Sequence, residues 1–205
     1  MGRVLTPPGI ARADRFFERL VSRVAALERR SWPTVPVIDD VADLPSSPRE
    51  GQRVDLWASG RMFELTWRGV ANSGSGAWMV GGGGSLAAAA EGSNFTTSTS
   101  YSTMTNGPTI SLPFGALWEF EWTARMASNN SANAVRAAVS GPGFSGEGGN
   151  TVFGSTLSVP CSGLTGPIAV SGAGTAALQF LTDNGSFTCT ALQRRLRARP
   201  VEIRP

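Results

Sequence analysis

Two carboxylates in one short stretch of the chain, Glu119 and Glu121, have a spacing that hydrolytic chemistry could use. Glycoside hydrolysis needs two carboxyl groups about 5 to 10 Å apart, and residues two positions apart on a strand share one face at roughly that separation. The same spacing is typical of a solvated strand face, because the two glutamates alternate with Trp118, Phe120 and Trp122. We therefore predict that the pair is solvated and that the protein is not an enzyme.

Other groups that commonly perform catalysis or bind metals are absent or isolated. The sequence has no histidine, which removes the commonest general base and metal ligand. Cys161 and Cys189 do not belong to a CxxC pair, so we expect reduced, partly buried thiols, and a disulfide between them stays open. The glycine run at residues 81–85 lacks the lysine of a phosphate-binding loop and is typical of a linker. The sequence predicts no catalytic residue, metal site or cofactor.

Surface recognition is better supported than catalysis. Loops held by a rigid scaffold commonly carry binding residues, and residues 103–108 and 128–133 are polar and turn-like. Trp118 and Trp122 could contact a sugar, but tryptophans of a small β-protein are more typical of its core. The candidate surface-binding residues are Tyr101, Asn106, Asn129 and Asn130.

Basic charge is concentrated at the C-terminus. The formal net charge is +3, every basic residue is Arg, and residues 70–190 contain only Arg125 and Arg136. Because Arg pairs with carboxylates and keeps its charge, we predict that the C-terminal cluster forms an intersubunit clasp on acidic residues of neighbouring chains. Nucleic acid is the competing partner, and the lack of interleaved aromatic residues argues against it. The predicted clasp residues are Arg194, Arg195 and Arg197.

The elements that must position these residues begin with an amphipathic N-terminal segment. Its apolar residues recur at alternating spacings of three and four, which keeps them on one seam when helices supercoil. The pattern predicts a coiled-coil helix in residues 1–31 that joins three chains, with Arg23 and Glu28 meeting between parallel helices. The alternative is an amphipathic helix that lies on its own domain. The seam consists of Ile10, Ala13, Phe17, Leu20, Val24 and Leu27.

The remaining sequence predicts β-structure. Residues 32–86 contain a proline-rich linker and three strand-like runs, which predict a small three-stranded β-meander. Residues 87–205 contain a series of short β-type runs separated by Gly, Pro, Asn and Ser, which predict a jelly-roll-like antiparallel β-sandwich. The predicted fold class is therefore mainly β, with an N-terminal coiled-coil helix, the meander and the sandwich. The proline-bracketed residues 200–205 are expected to form an edge strand or a clasp on a neighbouring subunit.

No membrane-spanning segment is predicted. The chain has no apolar run long enough to span a bilayer, and its N-terminus lacks the apolar stretch of a secretion signal. We therefore expect a protein that is soluble in the cytoplasm when it is made.

Two stretches of the sequence resemble virion proteins of long-tailed bacteriophages. The first is VADLPSSPREGQRVDLWASGRMFELTWRGVANSGSGAWMVGGG at residues 41–83, in which an LPxSPxxGQ-like turn precedes an aromatic-rich strand and a Trp shortly before Val-Gly-Gly. The second combines STSYSTMTNGPTISLPFGALWEFEWTARM at residues 98–126 with the C-terminal RRLRARPVEIRP. It resembles the β-sandwich of minor tail proteins and tail-fibre-like proteins.

The resemblance implies a structural component of the virion that is assembled in the host cytoplasm. Its implied role is a minor tail protein or tail fibre that forms a homotrimer and binds other virion proteins. For the polar loops, contact with a host cell-surface glycan and a purely structural role in the virion are the two alternatives. A head fibre or capsid decoration protein is one alternative, and a carbohydrate-binding module outside any virus is another. The resemblance carries over no catalytic residue.

Overall fold

Two β-sheets make up the part of the protein that the computed structural model describes, namely residues 34–71, 75–81, 84–152 and 156–204. A single 3-10 turn at Val41–Asp43 accompanies them, and no helix in this part of the chain has the length and apolarity to cross a membrane. The larger sheet, sheet A, consists of β1 (Val37–Ile38), β2 (Arg53–Ala58), β3 (Arg61–Arg68), β4 (Ala77–Val80), β5 (Leu86–Ala90), β6 (Asn94–Thr96), β9 (Ala116–Ser128), β12 (Val159–Leu164), β13 (Ile168–Val170) and β15 (Cys189–Ile203). The smaller sheet, sheet B, consists of β7 (Ser102–Thr103), β8 (Thr109–Leu112), β10 (Val135–Gly141), β11 (Phe144–Val152) and β14 (Gly174–Thr182).

Sheet A is organised around β9 and β15, which pair antiparallel along most of their length. The other edge of β15 pairs in turn with β6, β5 and β4. The strand order is β1-β2-β3-β4-β15-β9-β12, and β13 pairs with β9 on the same side as β12. The C-terminal strand therefore lies in the middle of the sheet and ties the N-terminal strands to the rest.

The core lies between the two sheets. Trp118, Phe120 and Trp122 of β9 are buried, whereas Glu119 and Glu121 lie on the opposite face, as the alternating sequence indicates. Sheet B has the order β11-β10-β14-β7, with β8 also on β14, and its inward residues join the same core. Burial of these apolar faces against each other stabilises the sandwich.

One side of the sandwich is closed by direct contact between β11 and β12. The indole Nε1 of Trp122 donates a hydrogen bond to Gly148 O at 3.0 Å, and Asn150 Nδ2 donates to Ser162 O at 2.6 Å. A Cβ atom added at Gly163 would overlap Gly148 O and the Trp122 indole. Glycine at this position therefore lets the two sheet edges approach each other.

The LPxSPxxGQ-like segment is a turn that holds the end of β3. Gly51 has a φ of 75°, which favours glycine, and Gln52 Oε1 accepts a hydrogen bond from the Arg49 backbone N–H at 3.0 Å. The Glu50 carboxylate accepts hydrogen bonds from the Gly69 N–H at 2.6 Å and from Arg68 Nη1 at 3.0 Å. These contacts give the motif residues a structural role.

The prediction of a mainly β protein is confirmed, but the predicted fold class as a whole is wrong. The described residues contain no α-helix, and the predicted coiled-coil seam falls in residues 1–33, outside the described residues. The three meander strands form as β2, β3 and β4, but they continue through β15 into the ten-stranded sheet A. β15 is long enough to pair with β4 of the meander and with β9 of the sandwich. The meander and the sandwich therefore share one sheet.

The expectation of an edge strand at residues 200–205 is also wrong where the structure describes it. Pro200 lies within β15, opposite Trp118 of β9. On the other side of β15, pairing with β5 ends at Ala198 and pairing with β4 begins at Glu202. Pro200 lies in this gap, so its missing N–H removes no ladder hydrogen bond on that side.

Candidate functional site

The carboxylate pair Glu119 and Glu121 lies on the open outer face of sheet A. Glu119 is ion-paired with Arg199, and Glu121 Oε2 lies 3.7 Å from Arg197 Nη1. The geometry thus favours an ion-paired strand face over a catalytic pair.

A β-bulge in β15 determines which arginines of the predicted clasp reach the surface. Gln193 has a φ of 45°, and the register with β9 shifts between Leu192 and Arg195. The inward side chains change from odd-numbered to even-numbered positions across this bulge. Arg194 consequently faces the core and Arg195 faces outward, so the bulge separates two neighbouring clasp residues.

The Arg194 side chain is buried, with only 2% of its surface exposed. Its Nη2 donates a hydrogen bond to Gly92 O at 2.7 Å, while Nε and Nη1 have no hydrogen-bond partner among the described residues. Burial lowers the pKa of this guanidinium. Of the three predicted clasp residues, only Arg195 and Arg197 are exposed, and the intersubunit clasp stays a prediction that would depend on them.

Tyr101 lies on the outer face of sheet B rather than at a loop tip. Its ring contacts Gly146, and its hydroxyl lies against Gly149, both in β11. The Arg136–Asp183 ion pair, with Nε and Oδ1 3.1 Å apart, is close enough to affect the pKa of the Tyr101 hydroxyl. Partial burial raises the pKa of Tyr101, while the charges of Arg136 and Asp183 act in opposite directions. The half-buried Tyr101 ring therefore packs on β11 and is only partly available to a ligand.

The asparagines of the predicted binding loops mostly serve the backbone. Asn129 Oδ1 accepts a hydrogen bond from the Thr188 N–H at 2.8 Å, and Asn130 Oδ1 accepts one from the Ala132 N–H at 2.7 Å. These contacts stabilise the turns that end β9 and β14. Asn106 is exposed with a φ of 54° in the turn between β7 and β8.

The four predicted surface-binding residues do not form one site. The loops that contain Tyr101, Asn129 and Asn130 meet at one end of the sandwich, where Thr182 N–H donates to Ser98 O at 2.9 Å. Asn106 lies apart from them, in the turn that closes on Met104. The side chain of Tyr101 lies against Gly146 and Gly149 of β11.

A depression on the outer face of sheet A was not predicted from the sequence. It has a volume of about 500 Å³ and lies over β9, β12 and β15, next to the bulge. Strand alternation places Arg125 outward, but the bulge that brings Gln193 and Arg195 beside it has no sequence signal. We call this depression the arginine depression. Its polar lining consists of Glu91, Thr123, Arg125, Ser162, Gln193 and Arg195.

The cysteines are buried and not bonded to each other. Burial raises the pKa of the Cys161 thiol, and burial together with Cys161 raises that of Cys189 to about 12. A thiol with so high a pKa is a poor nucleophile at neutral pH. The described residues also contain no group of three or more Cys, Asp or Glu side chains placed to hold a metal ion.

Comparison with known proteins gives no family assignment. No protein-family model matches the sequence, and no curated protein matches it.

Proposed function

We propose that the protein is a non-catalytic structural component of a long-tailed bacteriophage virion, with a minor tail protein or tail fibre as its role. The proposal starts from the two stretches that resemble such proteins. β4 belongs to the first stretch and β9 to the second, and the two strands pair with opposite edges of β15. This pairing supports treating both resemblances as features of one unit.

The observation that carries the proposal is an exposed apolar patch on the module that resembles virion proteins. Trp57 and Met62 lie directly opposite each other on β2 and β3, with exposed fractions of 47% and 38%. Val37 on the adjacent strand β1 is 59% exposed. Trp and Met are enriched in protein interfaces, and clustered exposed apolar groups commonly mark a binding surface. We refer to Val37, Trp57 and Met62 as the hairpin patch, and we propose that it binds another virion protein.

Proteomics of purified particles tests this role. A phage that lacks the gene is complemented with the wild-type chain or with a Trp57→Gln, Met62→Gln double variant, and the protein copies per particle are measured. We expect wild-type protein in the particles and at least a tenfold loss for the double variant. Phe95→Gln is the matched control, because Phe95 is also exposed but lies on β6.

Two results would contradict the proposal. Absence of the wild-type protein from particles would remove the virion role. Normal incorporation of the double variant would remove the role of the hairpin patch, while the virion role would stand.

The non-catalytic part of the proposal is supported by the ion pairs on Glu119 and Glu121. We expect purified protein to release no soluble fragments from host polysaccharide or peptidoglycan. Release that disappears in a Glu119→Gln or Glu121→Gln variant would show that the protein is an enzyme.

Self-association is also part of the proposal, because the resembling proteins are commonly trimers. Light scattering of the full chain at micromolar concentration is expected to give three times the chain mass of 21.4 kDa. A monomer mass that persists over the tested concentrations would contradict a trimer in solution.

A further inference from the structure

We propose that the arginine depression binds an anionic sugar residue of a host surface glycan. The source of the glycan rests on the tail-protein or tail-fibre role proposed above, from which contact with a host surface would follow. The site itself is argued from the geometry of β9, β12 and β15.

Two guanidinium groups in the arginine depression have no carboxylate partner among the described residues. Arg195 lies opposite Thr123, and Arg125 follows two residues further along β9 on the same outward face. The register shift of the bulge lies between these two positions, and both arginines line the same depression. This arrangement differs from that of Arg197 and Arg199, whose charges are paired with glutamates.

Each of the two arginines has donors available for a ligand. Arg195 makes no side-chain hydrogen bond or ion pair with the described residues. Arg125 donates from Nη2 to Ser158 O at 2.7 Å and from Nε to Ser158 Oγ at 3.3 Å, which fixes the guanidinium and leaves Nη1 without a described partner. Planar guanidinium groups bind carboxylate and phosphate oxygens in fixed geometry.

The remaining lining suits sugar hydroxyl groups. Thr123, Ser162 and Gln193 are exposed polar side chains around the two arginines, and Glu91 adds one acceptor carboxylate. Two guanidinium charges against one carboxylate leave the depression positive. The depression is shallow and open to solvent, so a ligand could reach both arginines from the surface.

The bulge gives a structural reason for the site. Gln193 holds a left-handed backbone conformation that costs energy for a residue with a side chain. Bulges of this kind commonly redirect side chains next to binding sites. Here the bulge turns Arg194 inward and places Gln193 and Arg195 at the depression.

A glycan fits better than a nucleic acid. Single-stranded nucleic acids bind by stacking their bases on aromatic side chains, and the lining residues of the depression include no aromatic residue. Duplex binding needs many phosphate contacts, whereas this depression offers two unpaired arginines.

Titration of the purified full chain with defined glycans tests the proposal. The probes are a hexuronate oligosaccharide, a glycerol-phosphate oligomer and a neutral glucan, which separates a carboxylate source from a phosphate source. We expect one or both anionic probes to bind and the neutral glucan not to bind. Arg125→Gln and Arg195→Gln are each expected to weaken binding about tenfold or more, the effect of losing one charge-assisted hydrogen-bonding group.

Arg53→Gln is the matched control, because Arg53 is an exposed arginine of sheet A on β2, away from the depression, and its replacement changes the net charge equally. It is expected to bind like the wild type.

Several results would overturn the proposal. The proposal fails if no anionic probe binds at millimolar concentration, or if Arg53→Gln weakens binding as much as the other two variants. A lower oligomer mass for Arg195→Gln would assign this residue to the intersubunit clasp, and loss of duplex DNA binding in the same variants would assign the site to nucleic acid. Because these measurements use purified protein, their failure would leave the virion role, which particle proteomics tests, unaffected.

Discussion

Replacing Trp122 by Phe tests how the two sheets are held together at the β11–β12 contact. The Trp122 side chain is 1% exposed, and its indole N–H donates to Gly148 O at 3.0 Å. Phe lacks this donor, so a partly buried carbonyl loses its partner, at a cost of about 1–3 kcal/mol. The smaller ring also leaves a void in the core, which adds about 1 kcal/mol or more. We therefore expect the free energy of unfolding to fall by about 3 kcal/mol.

Thermal and urea unfolding followed by circular dichroism measure this change. For a chain of this size, about 3 kcal/mol corresponds to a decrease of about 6–12 °C in Tm. Trp57→Phe is the control, because Trp57 is 47% exposed, and its effect is expected to stay within about 0.5 kcal/mol. A Trp122→Phe variant as stable as the control would refute the proposed closure of the sandwich at this hydrogen bond.

Gly163→Ala probes the same contact from β12. Its Cβ atom would overlap Gly148 O and the Trp122 indole, so we expect a loss of stability at least as large as that of Trp122→Phe. Gly166→Ala is the matched control, since nothing lies within 4 Å of its added Cβ atom. Equal stability of the two alanine variants would contradict a close approach of β11 and β12.

Three further predictions concern ionisable groups. A hydrogen bond from the Gly69 N–H, and to a smaller extent one from Arg68, lowers the pKa of Glu50 below its ordinary 4.5. The stability that Glu50 contributes is therefore present above pH 4.5 and is lost as the pH falls through the lowered pKa. The Tm difference between wild type and Glu50→Gln is expected to shrink from pH 7 to pH 3, and a constant difference would contradict this. Because the pKa of Cys189 is raised to about 12 and that of Cys161 is also raised, we expect both thiols to react with iodoacetamide at pH 8 far more slowly in folded than in urea-unfolded protein, and equal rates would refute their burial. Since Arg194 is buried with unpaired donors, Arg194→Met is expected to leave the free energy of unfolding unchanged or raised; Arg194→Ala is expected to lower it by about 2 kcal/mol, and equal losses for the two variants would contradict this.

The strands with clear alternation could be predicted from the sequence. β9 follows the pattern of Trp118, Phe120 and Trp122 against Glu119 and Glu121, because one face meets the core and the other meets solvent. β8 (Thr109–Leu112) likewise alternates between exposed and buried residues. In these strands, local pattern and tertiary packing favour the same structure.

Other strands depend on partners that are distant in the sequence. β5 (Leu86–Ala90) has no β-branched or aromatic residue, and β11 (Phe144–Val152) has them only at its ends, around a glycine-rich middle that does not mark a strand. β5 forms on the exposed edge of β15, and β11 forms on β10, because those strands offer unpaired backbone groups. Pairing supplied by the fold outweighs the low intrinsic preference of these segments.

The candidate site was only partly predictable. Residues with outward side chains on β9, such as Arg125, follow from alternation, but the inward turn of Arg194 requires the bulge at Gln193. In a regular strand Arg194 and Arg195 would also point to opposite faces, but alternation alone does not show which of the two is buried. Asn129 and Asn130 lie in the expected turn, but their side-chain oxygens accept hydrogen bonds from backbone N–H groups. Composition alone cannot distinguish an asparagine that stabilises a turn from one that binds a ligand.

Immunogold electron microscopy of intact particles tests the central claim most directly. Antibodies raised against the purified chain are applied to wild-type virions and to particles that lack the gene. We expect gold on the tails of wild-type particles and none on the deletion particles. Gold confined to the capsid would assign the protein to a head fibre or decoration role, and absence of gold from particles that bind a control antibody against a known virion protein would contradict a surface role in the virion.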